Sequence, residues 1–324
     1  MEIIAKLGSL MGLSFICGVN LYATVAVVGL CLKHGLVQGL PPELSVLADD
    51  AVIAVALFLY VVEFVIDKIP GLDTLWDTLH TIIRPLGGAL MAVLQAGEGS
   101  PALEVIAFMI GASLASAAHL TKAGTRLLVQ ASPEPFSNMA LSVGEDVFAV
   151  AYSYLSLAYP RWTFFCTLVL AAAVAVFLPL LFRAVSMGVR ALGHRLVSAF
   201  GTRSFESPVM VMTCAVESAY DTVREDGEEI LWAGKAFAVR LPGVPRYAPV
   251  HMILSDRAVT VFFHRFFQGR LKRLHRADVT RAVVYPGKLL AVCAFYNAGT
   301  PWTVGVYRAL ARTLPARWFS RNVS

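Results

Sequence analysis

Two stretches of the chain, Leu7 to Leu32 and Trp162 to Phe182, carry no Asp, Glu, Lys or Arg. Each meets the roughly 20 apolar residues that cross about 30 Å of hydrocarbon as a helix. The first is longer than the roughly 7–15 residue core of a secretory leader, and no polar region follows it, so it reads as an uncleaved helix. Between the two runs the apolar windows are shorter. Ala51–Val62 leads into Glu63 and Asp67, one helical turn apart. Pro85–Gly97 is uncharged but short, Val105–Thr121 follows, and Pro135–Pro160 is interrupted by Glu145 and Asp146. The pattern predicts six crossings, at 8–32, 48–67, 85–97, 102–120, 137–159 and 162–183, the third needing help from a preceding helical segment.

Beyond Phe182 the period changes. In RAVSMGVRALGHRLVSAFG, Arg183, Arg190 and His194 recur on one helical face opposite Val185, Val189, Leu192 and Leu196, which predicts a basic amphipathic interfacial helix over 184–204. From about 205 the chain alternates. HMILSDRAVTVFFHR reads as strand, Ser-Asp-Arg turn, strand; AVVYPGKLLAVCAFY as strand, Pro286-Gly287 turn, strand; TPWTVGVYRALARTL ends in a short helix. The expected fold is an α-helical polytopic membrane bundle with broken helices over 1–183, followed over 205–324 by a small α+β or mainly β domain. Its roughly seven strands closed by one helix resemble a bacterial pleckstrin-homology-like domain.

Composition supports the division. Hydrophobic residues make up 57% of the 324 and charged ones 15%, below the roughly one quarter of a soluble domain. Residues 1–203 carry 11 Lys and Arg against 13 Asp and Glu, whereas 204–324 carry 16 against 9. The basic tail suits anionic lipid. Arg257 to Ala277 holds Arg257, Arg265, Arg270, Lys272, Arg273 and Arg276 with no acid, and of these Arg265, Arg270, Lys272, Arg273 and Arg276 are candidate lipid-surface residues. The interleaved Phe262, Phe263, Phe266 and Phe267 fit a β core or lipid contact better than nucleic acid. Lys/Arg bias puts the N-terminus and the C-terminal domain on the cytoplasmic side of a bacterial inner membrane. The five cysteines are scattered, implying neither a disulfide framework nor a zinc site.

Ionisable residues inside apolar segments mark function by default. Asp73, Asp77, His80 and Arg84 are spaced i, i+4, i+7, i+11 and share one helical stripe, with Glu63 and Asp67 on a face just before them. Such convergence suits a divalent cation, a proton relay or a bound cationic group, and Asp73, Asp77 and His80 are the candidate metal ligands. Asp73 also suits an N-cap, and Asp77 and Arg84 suit the helix dipole. His119, Lys122 and Arg126 form a cationic face, Glu134 sits in the Ser132–Pro135 break, and the next span opens with Asn138, Ser142 and Glu145 on one face and Asp146 beside them. IRPLGGAL (83–90) and PEPFSNMAL (133–141) each put a charge before Pro at an expected helix start, suggesting an internal duplication of the kind transporters carry.

GVNLYATVAVVGL (18–30), YVVEFVIDKIPGLDTLWDTLHTIIRPLGGAL (60–90) and AHLTKAGTRLLVQASPEPFSN (118–138) closely resemble a bacterial membrane family catalogued as domain of unknown function 4126, over about residues 8–183. The resemblance implies a polytopic membrane protein and supplies no activity, substrate or cofactor. With Asn20 of the first motif, the candidate ligand- or ion-binding set is Asn20, Glu63, Asp67, Asp73, Asp77, His80, Arg84, His119, Lys122, Arg126, Glu134, Asn138, Glu145 and Asp146. The favoured expectation is a small transporter or channel-like protein for an ion, proton-coupled solute or lipid head group. The alternatives are an intramembrane enzyme using a divalent cation on a lipid, which lacks any HExxH or GxSxG pattern, and a membrane-anchored interaction or lipid-binding scaffold. Expected partners are membrane lipids, an anionic surface and further copies of the chain, without nucleic acid.

Overall fold

The computed structural model describes residues 2–69, 71–130, 135–200, 212–265, 268–287 and 289–319, the side chains of 130, 135–138 and 198–200 lying outside that description. Two compact units divide the chain, Met1–Leu181 and Phe182–Ser324. The first holds α1 (Glu2–Cys17), α2 (Leu21–Lys33), a 3-10 segment (Pro42–Ala48), α3 (Asp50–Ile66), α4 (Leu72–Ala96), α5 (Pro101–Gln130), α6 (Pro135–Ala158) and most of the apolar length of α7 (Pro160–Phe200).

The uncharged run from Leu7 to Leu32 is not a span. Gly18, Val19 and Asn20 break it, and Asn20 caps α2, its side-chain oxygen accepting from Ala23 N at 2.9 Å. At 16 and 13 residues, α1 and α2 are each too short to cross. Instead they double back. Ser9 of α1 donates to Ser156 O near the end of α6, and Gly8 abuts Pro160 at the start of α7. Past the tip, Asn20 meets Asp146 midway along α6, Thr24 accepts from Ser153 two turns further on, and Gly29 abuts Leu47 ahead of α3. Both outer ends of the pair therefore lie at one end of the bundle and the tip lies near its middle. A helix pair that stops inside the bundle is tolerated where its tip is surrounded by protein. Lys6, expected on the opposite side from the 33–47 connection, instead shares a pocket with Gln38 and Glu98.

The expected short span at 85–97 and the charged helix before it are one helix, α4, with Pro85 inside. Pro135 by contrast opens α6, so the two suspected repeat segments do not occupy equivalent positions. Among the described residues two helical stretches, Pro101–Val129 and Pro160–Val197, are long and apolar enough to cross a membrane, or three if the 3-10 segment and α3, bent by 64°, count together. Six apolar spans are thus too many. The first divides at Asn20, and α4 and α6 are diluted by polar side chains that turn inward.

That inward turn inverts the usual layering. On α4, Asp73, Asp77, His80 and Arg84 are buried while Leu75, Leu79, Ile82, Leu86 and Leu90 are exposed. Small residues let α4 and α5 approach: a Cβ at Gly111 would fall 2.5 Å from Gly88 O and 2.6 Å from Ala92 Cβ.

In the second unit a short α8 (Cys214–Asp221) precedes seven strands: β1 (Ile230–Arg240), β2 (Pro249–Ser255), β3 (Ala258–Arg265), β4 (Gln268–His275), β5 (Arg281–Tyr285), β6 (Leu290–Tyr296) and β7 (Trp302–Tyr307), then α9 (Arg308–Ala311). Among the described residues they form one antiparallel sheet in the order β4-β3-β2-β1-β7-β6-β5. The two strand–turn–strand readings match β2–β3 and β5–β6. One buried cluster gathers Trp232, Phe237, Met252, Val261, Phe295 and Val304, with Ala191 of α7 among them; α8 packs Val216 and Tyr220 on Ile253 and Phe262. The expected interfacial helix at 184–204 is not separate: through Phe200 it continues α7 without interruption, and residues 201–204 lie outside the described residues.

Gly111→Val should lower the unfolding midpoint, by about 1–3 kcal/mol of overpacking. Gly144→Ala, where an added Cβ meets nothing within 4 Å, should be neutral or stabilising by up to about 1 kcal/mol. Thermal unfolding of the full chain in detergent separates the two.

Candidate functional site

The site is assembled from four helices around the α1–α2 tip. The near-heptad spacing on α4 and α5 directs Asp77, His80 and Arg84, and His119, Lys122 and Arg126, into the crevice between them. Glu63 and Asp67 arrive from the end of α3, Glu145 and Asp146 from α6.

Three cations organise it. Arg84 donates to Glu63 Oε1 at 2.8 Å, to Asp77 Oδ1 at 3.3 Å and to His119 Nδ1 at 2.7 Å. Lys122 donates to Val19 O at 2.9 Å and lies 3.3 Å from Glu63 Oε1, 3.4 Å from Asp67 Oδ2 and 3.6 Å from Glu145 Oε2. Arg126 bridges Asp67 Oδ2 at 2.6 Å and Glu145 Oε2 at 2.5 Å. The Arg84 and Glu63 side chains are both 0% exposed. A fourth cation, Lys68, stands 4.0 Å from Asp146 Oδ2.

His119 is neutral by its bonding. His119 accepts from Arg84 at Nδ1, so Nε2 carries the proton, shared between Asp77 O at 3.1 Å and Thr81 Oγ1 at 3.2 Å. His80 donates from Nδ1 to Trp76 O at 2.8 Å, and its Nε2 shares a hydrogen bond with the Tyr22 hydroxyl, 3.0 Å away. Five carboxylates, Glu63, Asp67, Asp77, Glu145 and Asp146, face four cations among the described residues, a formal excess of one negative charge when all five are ionised and His80 is neutral. Glu63 Oε2, Asp67 Oδ1 and Asp146 Oδ2 are buried acceptors without a hydrogen-bond partner among the described residues. Burial of such atoms is costly, so the cluster retains capacity for a proton or a small cation.

The broken helix pair aims its ends at this cluster. A helix C-terminus carries partial negative charge and an N-terminus partial positive charge. Just past the end of α1, Val19 O receives the Lys122 ammonium; at the start of α2, Asn20 Nδ2 donates to Asp146 Oδ1 at 3.1 Å. Each half-helix thus presents the sign that its neighbour needs.

Other expected site residues lie elsewhere or act otherwise. Asp73 is not the N-cap, which is Gly71; it lies in the first turn of α4 and accepts from Gly71 N at 2.8 Å and Thr74 N at 2.7 Å. Among the described residues no three His, Cys, Asp or Glu side chains are placed to hold a metal ion: Asp73 is committed to those backbone amides, Asp77 faces Arg84, and both His80 nitrogens are engaged. Glu134 and the Asn138 side chain lie outside the described residues. Sequence reasoning missed Tyr22, Lys68, Trp76, Thr81 and the Val19 carbonyl. The Gly18-Val19-Asn20 turn signature inside the apolar run was the available clue.

Of the five candidate lipid-surface residues, Arg265 and Arg270 are exposed and Lys272 half-buried. Arg273 instead holds Glu228 Oε2 at 2.9 Å and Glu225 Oε1 at 3.0 Å, and Arg276 donates to Arg317 O at 2.6 Å. Burial alone would raise the Glu228 carboxyl above its ordinary 4.5. The Ser255 hydroxyl, the Glu225 amide, Arg273 and Tyr220 outweigh that and hold it at about 2.

What the first unit defines is a small helical bundle with an apolar exterior and a charge-paired interior. The chain belongs to the family described as Domain of unknown function (DUF4126), whose model matches residues 7–183. No curated protein matches it. Among solved structures, the crystal structure of the N-terminally truncated linker-DH/PH domains of p115-RhoGEF is similar over 78% of this chain and 69% of that one, at 10% identity and a TM-score of 0.21, which carries no argument about the fold.

Lys122→Met, which takes one of two cations from each of Glu63, Asp67 and Glu145, should destabilise the first unit by about 3–5 kcal/mol. Lys33→Met, at the exposed Lys33–Asp50 pair, should stay within about 1 kcal/mol; unfolding in detergent reports both. In the second unit the Glu228 value is depressed, so its contribution is complete above pH 4.5 and fades as pH falls towards about 2. That contribution is up to about 3 kcal/mol, and hydrogen exchange of the β1 and α8 peptides should lose this acid dependence in Glu228→Gln.

Proposed function

We propose that the protein is a small multi-pass membrane transporter or channel-like protein moving protons or small monovalent cations, with the buried carboxylates at the α1–α2 tip as the transit site. One observation carries the reading: two half-helices end midway through the bundle on a charge cluster that keeps one negative charge in excess. Half-helix ends directed at ions near a bilayer midplane are the arrangement that secondary transporters use. The exposed leucines and isoleucines of α4, over buried Asp77, His80 and Arg84, support lipid as the surrounding solvent.

Asp146 is the residue on which transit would turn. Its Oδ1 is held by Asn20 and its Oδ2 has only Lys68 at 4.0 Å, so a proton or cation can be exchanged there without dismantling the Arg84–Glu63 pair. A cleft of about 70 Å³, lined by Thr74, Asp77, Thr78, Thr81, Ala123 and Arg126 among others, reaches two members of the charge cluster, Asp77 and Arg126, from the α4–α5 surface.

The setting proposed is a bacterial cytoplasmic membrane. Lys68, Lys122 and Arg126 lie towards the end of the bundle opposite Lys6, so the positive-inside bias puts the N-terminus outside and the far end of α7 inside. This reverses the orientation expected of the N-terminus and keeps that of the C-terminal unit. There the outward Arg265, Arg270 and Lys272 would meet anionic lipid.

Purified protein in liposomes, with an imposed potential and an internal pH dye, tests this. Wild type should acidify or alkalinise the lumen faster than empty vesicles, Asp146→Asn should reduce the rate about tenfold or more, corresponding to about 1.4 kcal/mol or more, and Asp50→Asn should leave it unchanged. Flux in Asp146→Asn equal to wild type, with the variant still folded, would remove the proposal.

A further inference from the structure

The part of α7 that belongs to the second unit has two unlike faces. On one, Met187 and Ala191 join the sheet cluster and His194 stacks on Tyr307, ring centroids 4.3 Å apart at 3°. On the opposite one, Phe182, Val185, Val189, Leu192 and Leu196 follow at intervals of three, four, three and four residues. Phe182 and Val189 are 73% and 64% exposed, Leu192 and Leu196 48% and 50%, and Val185 is half-buried.

That spacing is the a/d pattern by which one helix packs along another in register. Val189 at an a position with Leu192 at the next d is the combination that favours two parallel strands. The a, d and e positions carry no charge, the e positions being Ser186 and Gly193. A Cβ at Gly188 or Gly193, one on each flank of the seam, would meet nothing within 4 Å, so the backbone is open to a close neighbour.

Hydrocarbon is a poor cover for this face. In α7, continuous from Pro160, the first 20 or so residues already match about 30 Å of hydrocarbon at about 1.5 Å per residue. The seam therefore starts where the hydrocarbon stops. A helix lying on the membrane surface keeps its basic side chains along the borders of its apolar face. Here Arg183 and Arg190 stand roughly a third of a turn away from the seam.

We infer that this seam is a dimer interface, covered by the same seam of a second copy in a parallel two-fold pair. Copies inserted with one orientation present their α7 helices in parallel, and an uncharged heptad seam is complementary to itself. Two heptads are short for a coiled coil of free peptides. In this chain the helix is already formed, fixed on one face by the sheet, and confinement to one membrane raises the effective concentration of its partner. The inference stands apart from the transit reading, since the Asp146 site lies within a single chain.

The test uses the full chain in liposomes, with the exposed Cys166 and Cys214 replaced by serine. Val189→Cys and Leu192→Cys, oxidised with copper phenanthroline, should each give about tenfold more disulfide-linked dimer than Arg190→Cys, which lies off the seam. Single-molecule photobleaching of labelled wild type at low density should show two steps, and Val189→Arg with Leu192→Arg should show one, at an unchanged unfolding midpoint. Should that double variant misfold, the cross-linking decides alone. Equal cross-linking at 189 and 190, or one-step bleaching of wild type, would overturn the inference. Protection of the Val189→Cys thiol from a water-soluble maleimide in a one-step population would instead assign the face to lipid.

Discussion

Pairing of charge inside an apolar shell is the constraint on which the first unit depends. Arg84, Lys122 and Arg126 are removed from water, a step that costs several kcal/mol per ion, and only the carboxylates of α3, α4 and α6 offset it. That requirement explains the geometry of the bundle better than hydrophobic packing does. Glu63 and Asp67 must reach α5, so α3 ends against it. The Lys122 ammonium must satisfy its remaining donors, so a backbone carbonyl at the broken tip of α1 is drawn to it. Deleting Lys122 takes one of two cations from each of Glu63, Asp67 and Glu145, and deleting Arg84 leaves Asp77 with none among the described residues.

The same constraint separates what could be read from sequence from what could not. The i, i+4, i+7, i+11 stripe of Asp73, Asp77, His80 and Arg84 was legible because helical periodicity is local, and all four are buried on one face as that spacing requires. The identity of their partners was not legible, since Glu63, Lys122 and Asp146 are brought together only by helix packing. Asp73 shows the limit in the other direction: on the stripe, buried, and yet bonded to the backbone at the start of its own helix. The largest misreading concerned Leu7 to Leu32, where apolarity is the same whether a helix crosses or returns. Only the three residues at Gly18–Asn20 distinguish the two, and a length criterion averages them away.

In the second unit the strands were legible because alternation and turn residues are local signals as well. The basic stretch around β4 was less so. Arg273 lies in the same run as Arg270 and Lys272, but strand pleating sends it towards α8, where Glu225 and Glu228 claim it. Residues two apart in sequence share a face, and those one apart do not.

The chain order of the charge cluster has a consequence for biogenesis. Asp67 precedes its partners Lys122 and Arg126 by 55 and 59 residues, and a ribosome adding roughly 5–20 residues per second needs roughly 3–12 s to cover that interval. Through most of it, Glu63 and Asp77 already have Arg84, but Asp67 has neither of its partners. Asp67 must therefore stay in contact with water until α5 emerges, and the cluster closes only when the last helix that supplies it, α6, has followed.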